Sequence, residues 1–394
     1  YSRYGVGQAL AAVPFYVAGR VLALVRPGIE RRHGESEAYG RPRSEYFAHL
    51  AVGWRNPLLA ALTGMLVVLT ARRLGVRRRF AWWCGLAYGL CTFAWPQARS
   101  TLSDVQATFL LFLAFHLLVK ARECFARLGP PPTAVLAGAG LALGGAALTR
   151  VAVVPGVIVL TLVAWRMLAF GHKLLERAWG PEEVSPKHRF PTQALDFALP
   201  LLACLAVLLG VNYVRFGSIL RTGYEASIDL PSFFANAPQL GLAGILISPG
   251  RGLLWMAPGL LLLPLAVRHA LRSGERLWTW TLAGLALVVL VPISFMRGWH
   301  GAWTFGPRYL LPLLPFAWLG FGLALEAGWK RPWLRWAAGA LCVTGLLVQL
   351  GGALVDHTTH TDLALQAARM EWPDEGGVDP AEQELRRFER IQWD

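Results

Sequence analysis

Residues 134 to 168 read Ala-Val-Leu-Ala-Gly-Ala-Gly-Leu-Ala-Leu-Gly-Gly-Ala-Ala-Leu-Thr-Arg-Val-Ala-Val-Val-Pro-Gly-Val-Ile-Val-Leu-Thr-Leu-Val-Ala-Trp-Arg-Met-Leu, and Arg150 is the one charged residue before Arg166. Each half is an apolar run of the roughly 17–25 residues that cross a bilayer as a helix. The runs are continuous rather than alternating, which excludes a membrane barrel. Arg150 then marks the turn of a helical hairpin. The same pattern fills the chain, which is 55% apolar and only 16% charged, with a mean hydropathy of +0.43.

The fold expected is an all-α polytopic transmembrane bundle. Ten spans are expected, at about 47–70, 80–97, 102–119, 134–150, 151–168, 194–214, 252–270, 277–295, 309–326 and 336–354. The net charge of +14 does not imply nucleic acid, because the arginines cluster between apolar runs and orient them. Arg72–Arg79, Lys120–Arg127, Arg268–Arg276 and Lys330–Arg335 all fall on one side, which is therefore cytoplasmic. A spanning helix at residues 5–25 would invert that order. This run carries Gly5, Gly7, Pro14, Gly19 and Arg20, and is expected to lie in the outer interface.

The chain is expected to form a single membrane domain over 1–394. Residues 1–46 would be an outer loop with the interfacial helix, 47–354 the transmembrane helices and 355–394 an external tail. The tail from Asp356 has ten acidic residues against four arginines, and a short helix is expected near 380–391. The longest cytoplasmic loop, 166–193, is expected to be partly helical. Both termini read as truncated. The five cysteines are spaced as packing residues.

Polar residues gather at the outer helix ends, against the positive-inside pattern. The richest stretch is Trp299-His-Gly-Ala-Trp-Thr-Phe-Gly-Pro-Arg-Tyr309, where an aqueous loop enters an apolar helix. Its aromatic rings and Arg308 suit a sugar and an anionic lipid head together. His300 would ligate a divalent ion, bind a sugar hydroxyl or make a structural hydrogen bond. Arg99-Ser-Thr-Leu-Ser-Asp104 forms another outer turn. There Asp104 either pairs with Arg99 or faces the cavity as a metal ligand or acceptor-orienting carboxylate. Arg150, set among apolar residues, needs Asp104 or a bound phosphate as its partner. His357 and His360 resemble a metal pair but lack a known zinc spacing. Most of the seventeen tryptophans read as interfacial anchors.

Several short motifs, in order, resemble the bacterial GT-C membrane glycosyltransferases, relatives of protein O-mannosyltransferases and lipid A aminoarabinose transferases. They include Tyr1-Ser-Arg-Tyr-Gly-Val-Gly-Gln-Ala-Leu, Ala71-Arg-Arg-Leu-Gly, Ala98-Arg with Leu102-Ser-Asp, and Ala147-Leu-Thr-Arg150. Phe216-Gly to Gly223-Tyr224, Ser248-Pro-Gly-Arg-Gly with Ala257-Pro258, and Gly306-Pro-Arg-Tyr309 complete them.

The resemblance implies a polyprenyl-phosphate-linked sugar donor and inverting transfer to a lipid, glycan or protein acceptor. The active face would be periplasmic, on a bacterial inner membrane. It makes Asp104 a functional carboxylate, with the main base expected upstream of Tyr1. It makes Arg99, Arg150, Arg251 and Arg308 the candidates for the donor phosphate. Trp299, His300, Trp303, Tyr309 and Tyr224 are the candidates for the sugar or acceptor. A divalent metal ion is the one cofactor implied, and membrane lipids and other membrane proteins are the further partners. The alternative is a non-catalytic relative serving as a structural subunit of a membrane complex. A transporter ranks last, for want of an inverted repeat.

Overall fold

The computed structural model describes residues 5–33, 45–180, 185, 189–223, 230–301, 304–355, 363–368, 372, 383 and 386–387. Among them there is no strand, and seventeen α-helices follow one another. In chain order α1 is Val6–Val25, α2 Pro27–His33, α3 Tyr46–Gly53, α4 Arg55–Arg73, α5 Arg78–Leu90 and α6 Ala94–Ala98. Then come α7 Ser103–Ala126, α8 Thr133–Thr149, α9 Val154–Trp179, α10 Phe190–Phe216, α11 Leu230–Phe233 and α12 Pro238–Ile247. The last are α13 Leu253–Met256, α14 Leu263–Ser273, α15 Arg276–Ser294, α16 Leu314–Gly328 and α17 Pro332–Leu354. Among the described residues six segments are long and apolar enough to cross a bilayer, and the chain is a multi-pass membrane protein.

The ten expected spans coincide with helices, but three of them are divided, the run 47–70 into α3 and α4 at Trp54. The run 80–97 divides into α5 and α6 at Cys91–Phe93. Thr92 caps the break, its hydroxyl donating to the Tyr88 carbonyl at 2.6 Å and accepting the Ala94 amide at 3.3 Å. The run 252–270 divides at Ala257-Pro258, because proline has no N–H to continue the ladder. The Met256 carbonyl at that break accepts the Gln349 side-chain amide at 2.9 Å. Backbone groups freed inside a membrane need such a partner. Two helices run longer than expected. α7 continues to Ala126, and α9 continues to Trp179 through much of the stretch read as a loop. The helix expected near 380–391 lies almost wholly outside the described residues, as do His357 and His360.

The core surrounds α16, whose residues 314–325 are all buried. Phe316 meets Phe112 and Phe115 of α7 edge-on or tilted, at 5.1 and 5.2 Å between centroids. The indole N–H of Trp318 donates to the Cys84 carbonyl at 3.0 Å, and that of Trp278 to the Phe316 carbonyl at 2.8 Å. Both polar handles are thereby satisfied in an apolar interior.

Three ion pairs tie the four basic clusters to one end of the bundle. Arg73 pairs with Glu123, Arg77 with Glu326 at 2.8 Å, and Arg122 with Glu275 at 2.5 Å. The opposite end holds the starts of α4 and α7 and the tips of α8 and α17. By length and composition α1 would also cross a bilayer, so its glycines and proline do not disqualify it. Gly5 and Gly7 abut Leu148 and Thr149 at the tip of α8, and Gly19 abuts Ala48 of α3. Arg55, at the start of α4, donates to the Gln8 carbonyl at 3.0 Å. The helix therefore leaves the bundle at the end away from the basic loops and runs beside α3, with most of its apolar surface exposed.

Candidate functional site

Asp104 is the second residue of α7, where the positive end of a 24-residue helix favours a carboxylate. Its side chain is 1% exposed, and Oδ2 accepts Nη1 of Arg150 at 3.1 Å. Oδ1 has no hydrogen-bond partner among the described residues. Arg150 lies between α8 and α9 with extended backbone, φ −155° and ψ 116°. That conformation turns its side chain from the α8 tip toward α7, where it also reaches the Ser103 hydroxyl at 3.4 Å. The partner of Asp104 is thus Arg150 and not Arg99.

Tyr309 joins this pair to a second arginine. The Arg150 guanidinium lies 5.9 Å from the Tyr309 ring centroid and that of Arg308 4.8 Å. Nη2 of Arg308 donates to the Tyr309 hydroxyl at 3.1 Å. Arg308 opens a short 3₁₀ turn, Arg308–Leu310, that leads into α16. Gly301 and Gly306 precede it at φ 81° and 71°, a region closed to most side chains.

Arg251 forms the third corner. It is buried, its N–H donates to the Ser248 hydroxyl at 3.2 Å, and its Nη1 donates to the His300 carbonyl at 2.7 Å. Burial, and then the neighbouring Arg308 charge, push its pKa down to about 10. Burial, Arg251 and Arg308 hold the His300 imidazole down to about 3. Three guanidinium groups therefore converge with one carboxylate among the described residues. Like charges held together in a low dielectric are stabilised by an anion, and guanidinium groups match phosphate oxygens.

A pH dependence follows from His300. Its folded pKa lies below the ordinary value of about 6.5, so the unfolded chain binds the extra proton. This contribution to stability is complete above about pH 6.5 and declines as pH falls toward 3. Thermal unfolding between pH 4 and 8 should show this acid slope in the parent protein. The slope should flatten in a His300→Gln variant, and an unchanged slope would refute the assignment.

The other expected residues fall elsewhere. Arg99 donates to the Ala353 carbonyl at the end of α17. Trp299 is 3% exposed. A Cβ on Gly244 would lie 2.5 Å from its ring, so the ring packs against α12 instead of facing an open sugar pocket. Trp303 and Tyr224 lie outside the described residues. Among the described residues no group of three or more His, Cys, Asp or Glu is assembled as a metal site. Among the described residues the carboxylate of this cluster is Asp104, and it faces Arg150.

Three positioning residues carry the geometry without being expected. Asn56 donates to the carbonyls of Ser100 and Leu102 at 2.6 and 2.9 Å. Arg55 donates to the Thr101 carbonyl at 3.2 Å. Together they hold the turn before Asp104. Gln106 donates to the Thr149 hydroxyl and the Gly7 carbonyl, both at 3.0 Å, and so ties α7 to the residue before Arg150. The available signal was an Arg-Asn pair inside the apolar run 47–70, costly there unless partnered.

Residues 41–216 match the family described as dolichyl-phosphate-mannose-protein mannosyltransferase. That range contains Asp104 and Arg150 but not Arg251 or Arg308. The chain is also similar to the Archaeoglobus fulgidus oligosaccharyltransferase with a tethered acceptor peptide. The identity is 14% over 98% of this chain and 51% of that one, with a TM-score of 0.40. Against the oligosaccharyltransferase AglB of the same organism, in complex with an inhibitory peptide and a dolichol-phosphate, identity is 13%. Coverage there is 98% and 52%, with a TM-score of 0.41. The chain spans about half the length of these structures, and no curated protein matches it by sequence.

Proposed function

We propose that this protein is a membrane glycosyltransferase that moves a sugar from a polyprenyl-phosphate-linked donor to a lipid, glycan or protein acceptor. The observation that carries the reading is the convergence of Arg150, Arg251 and Arg308 about Tyr309 and His300, with Asp104 paired to Arg150. In the reaction an acceptor hydroxyl oxygen attacks the anomeric carbon as the bond to the phosphate oxygen breaks. Charge then develops on the leaving phosphate, where fixed guanidinium groups stabilise it best. Arg308 and Arg251 hold that phosphate, and Asp104 orients Arg150 beside it. The acceptor hydroxyl must lose its proton to a base, and Asp104, buried and ion-paired, is a positioning residue and not that base. The basic loops at the opposite end support a non-cytoplasmic face for the cluster, which on this reading is the periplasmic face of a bacterial inner membrane.

The test is photo-crosslinking of a polyprenyl-phosphate probe to the purified full chain, alongside transfer of a labelled sugar. Losing one charge-assisted phosphate contact costs about 1.5–3 kcal/mol. Arg308→Ala should therefore weaken probe capture by roughly ten- to a hundredfold and reduce transfer with it. Undiminished capture by a folded Arg308→Ala protein would remove this site. The burial of Asp104 favours one second reading, a structural subunit that holds the lipid without turning it over. Capture without transfer in the parent protein would establish it.

A further inference from the structure

The basic end carries a second arginine cluster that the proposed transfer does not use. A cavity of about 150 Å³ lies between α14 and the α16–α17 hairpin. Arg268, His269 and Arg272 line it from one face of α14, at the helical spacing of three and four residues. On the facing wall Ala324 and Ala327 of α16 are too small to fill the gap. Arg331 in the α16–α17 turn and the half-exposed Trp333 close the third side.

Three carboxylates of this end are committed elsewhere. Glu123 is held by Arg73, Glu275 by Arg122 and Glu326 by Arg77. None of these arginines lines the cavity. Among the described residues the guanidinium groups of Arg268, Arg272 and Arg331 form no ion pair or side-chain hydrogen bond. Membrane orientation needs basic residues near helix ends, but it does not need three unpaired ones around a shared hollow. Guanidinium groups recognise phosphate oxygens through paired N–H donors, His269 adds a further hydrogen-bonding group, and a tryptophan at the rim suits the head-group layer.

We propose that this cavity binds a phosphate-bearing anion at the basic face of the membrane, held by Arg268, Arg272 and Arg331. An anionic phospholipid head and soluble phosphate share that chemistry. The test uses the purified full chain in nanodiscs. Native mass spectrometry would measure retention of phosphatidylglycerol doped into phosphatidylcholine. A titration with inorganic phosphate, in phosphatidylcholine alone, would form the second arm.

Each arginine near an anionic surface contributes about a factor of five. The double variant Arg268→Gln/Arg331→Gln should therefore weaken binding roughly thirtyfold in the arm that shows it. Ala327→Leu keeps every charge but fills the hollow, and should weaken binding as well. Phosphatidylglycerol retention alone assigns the lipid head, and a phosphate response assigns the soluble anion. Binding in neither arm overturns the proposal. So does loss in the arginine variant with Ala327→Leu unchanged, since that describes diffuse attraction to a basic surface.

Discussion

Asp104→Leu is expected to be among the most destabilising single substitutions in the chain, at about 3–5 kcal/mol, because it strands a buried arginine. The Asp104 side chain is 1% exposed and that of Arg150 14%. Both sit where water cannot replace the lost partner. Scanning calorimetry of the purified protein should show a marked fall in the unfolding midpoint. The double variant Asp104→Leu/Arg150→Met should recover much of it, since a well-packed apolar pair in place of a buried ion pair is often neutral or stabilising. A single variant that unfolds like the parent would show the pair to be solvated. The rescued double variant also separates two roles. If it folds and captures the polyprenyl-phosphate probe normally, the pair is architecture. If it folds but captures poorly, Arg150 contacts the donor.

That pairing was partly legible in the sequence. Arg150 stands alone between two apolar runs and so demanded a carboxylate or phosphate, and Asp104 was one of few acidic residues at that end. The choice between Arg99 and Arg150 was not legible. It depends on the tip of α17 lying beside Arg99, where the Ala353 carbonyl takes up its guanidinium, and no local pattern encodes a contact across 254 residues. The spans were legible from run length alone. The breaks at Cys91–Phe93 and Ala257-Pro258 were hidden because apolar residues continue through them. The burial of Trp299 was hidden for a related reason. The helix that buries it, α12, has ten residues, too few to register as a span. Without α12 the indole looked available to a sugar. The electrostatics of the cluster were legible in sign but not in geometry. Arg251 and Arg308 are distant in sequence, and only the fold sets them both against His300.

Gly140→Ile is expected to damage the bundle to a similar degree, by a purely steric route. In α8 the glycines at 140 and 144 lie on one face, four residues apart, and that face meets α10. A Cβ on Gly140 would fall within forbidden distance of the Phe197 carbonyl oxygen and 3.1 Å from its carbon. One on Gly144 would lie 2.9 Å from the Cys204 sulfur. Membrane helices lack a hydrophobic drive to associate and depend on such close backbone approach. The obstacle at Gly140 is backbone, which no rotamer change can move, so overpacking should reach or exceed the upper end of its usual 1–3 kcal/mol. The consequence extends to the site, because α8 ends at Thr149 and delivers Arg150 to Asp104. Separation of α8 from α10 should lower both the unfolding midpoint and capture of the polyprenyl-phosphate probe. Gly210→Ala in α10 is the matched control. No atom lies within 4 Å of a Cβ there, so the change should be neutral or stabilise by a few tenths of a kcal/mol through the unfolded chain. If Gly140→Ile and Gly210→Ala melt alike, α8 and α10 do not approach as closely as their glycines allow, and Arg150 owes its position to α7 alone.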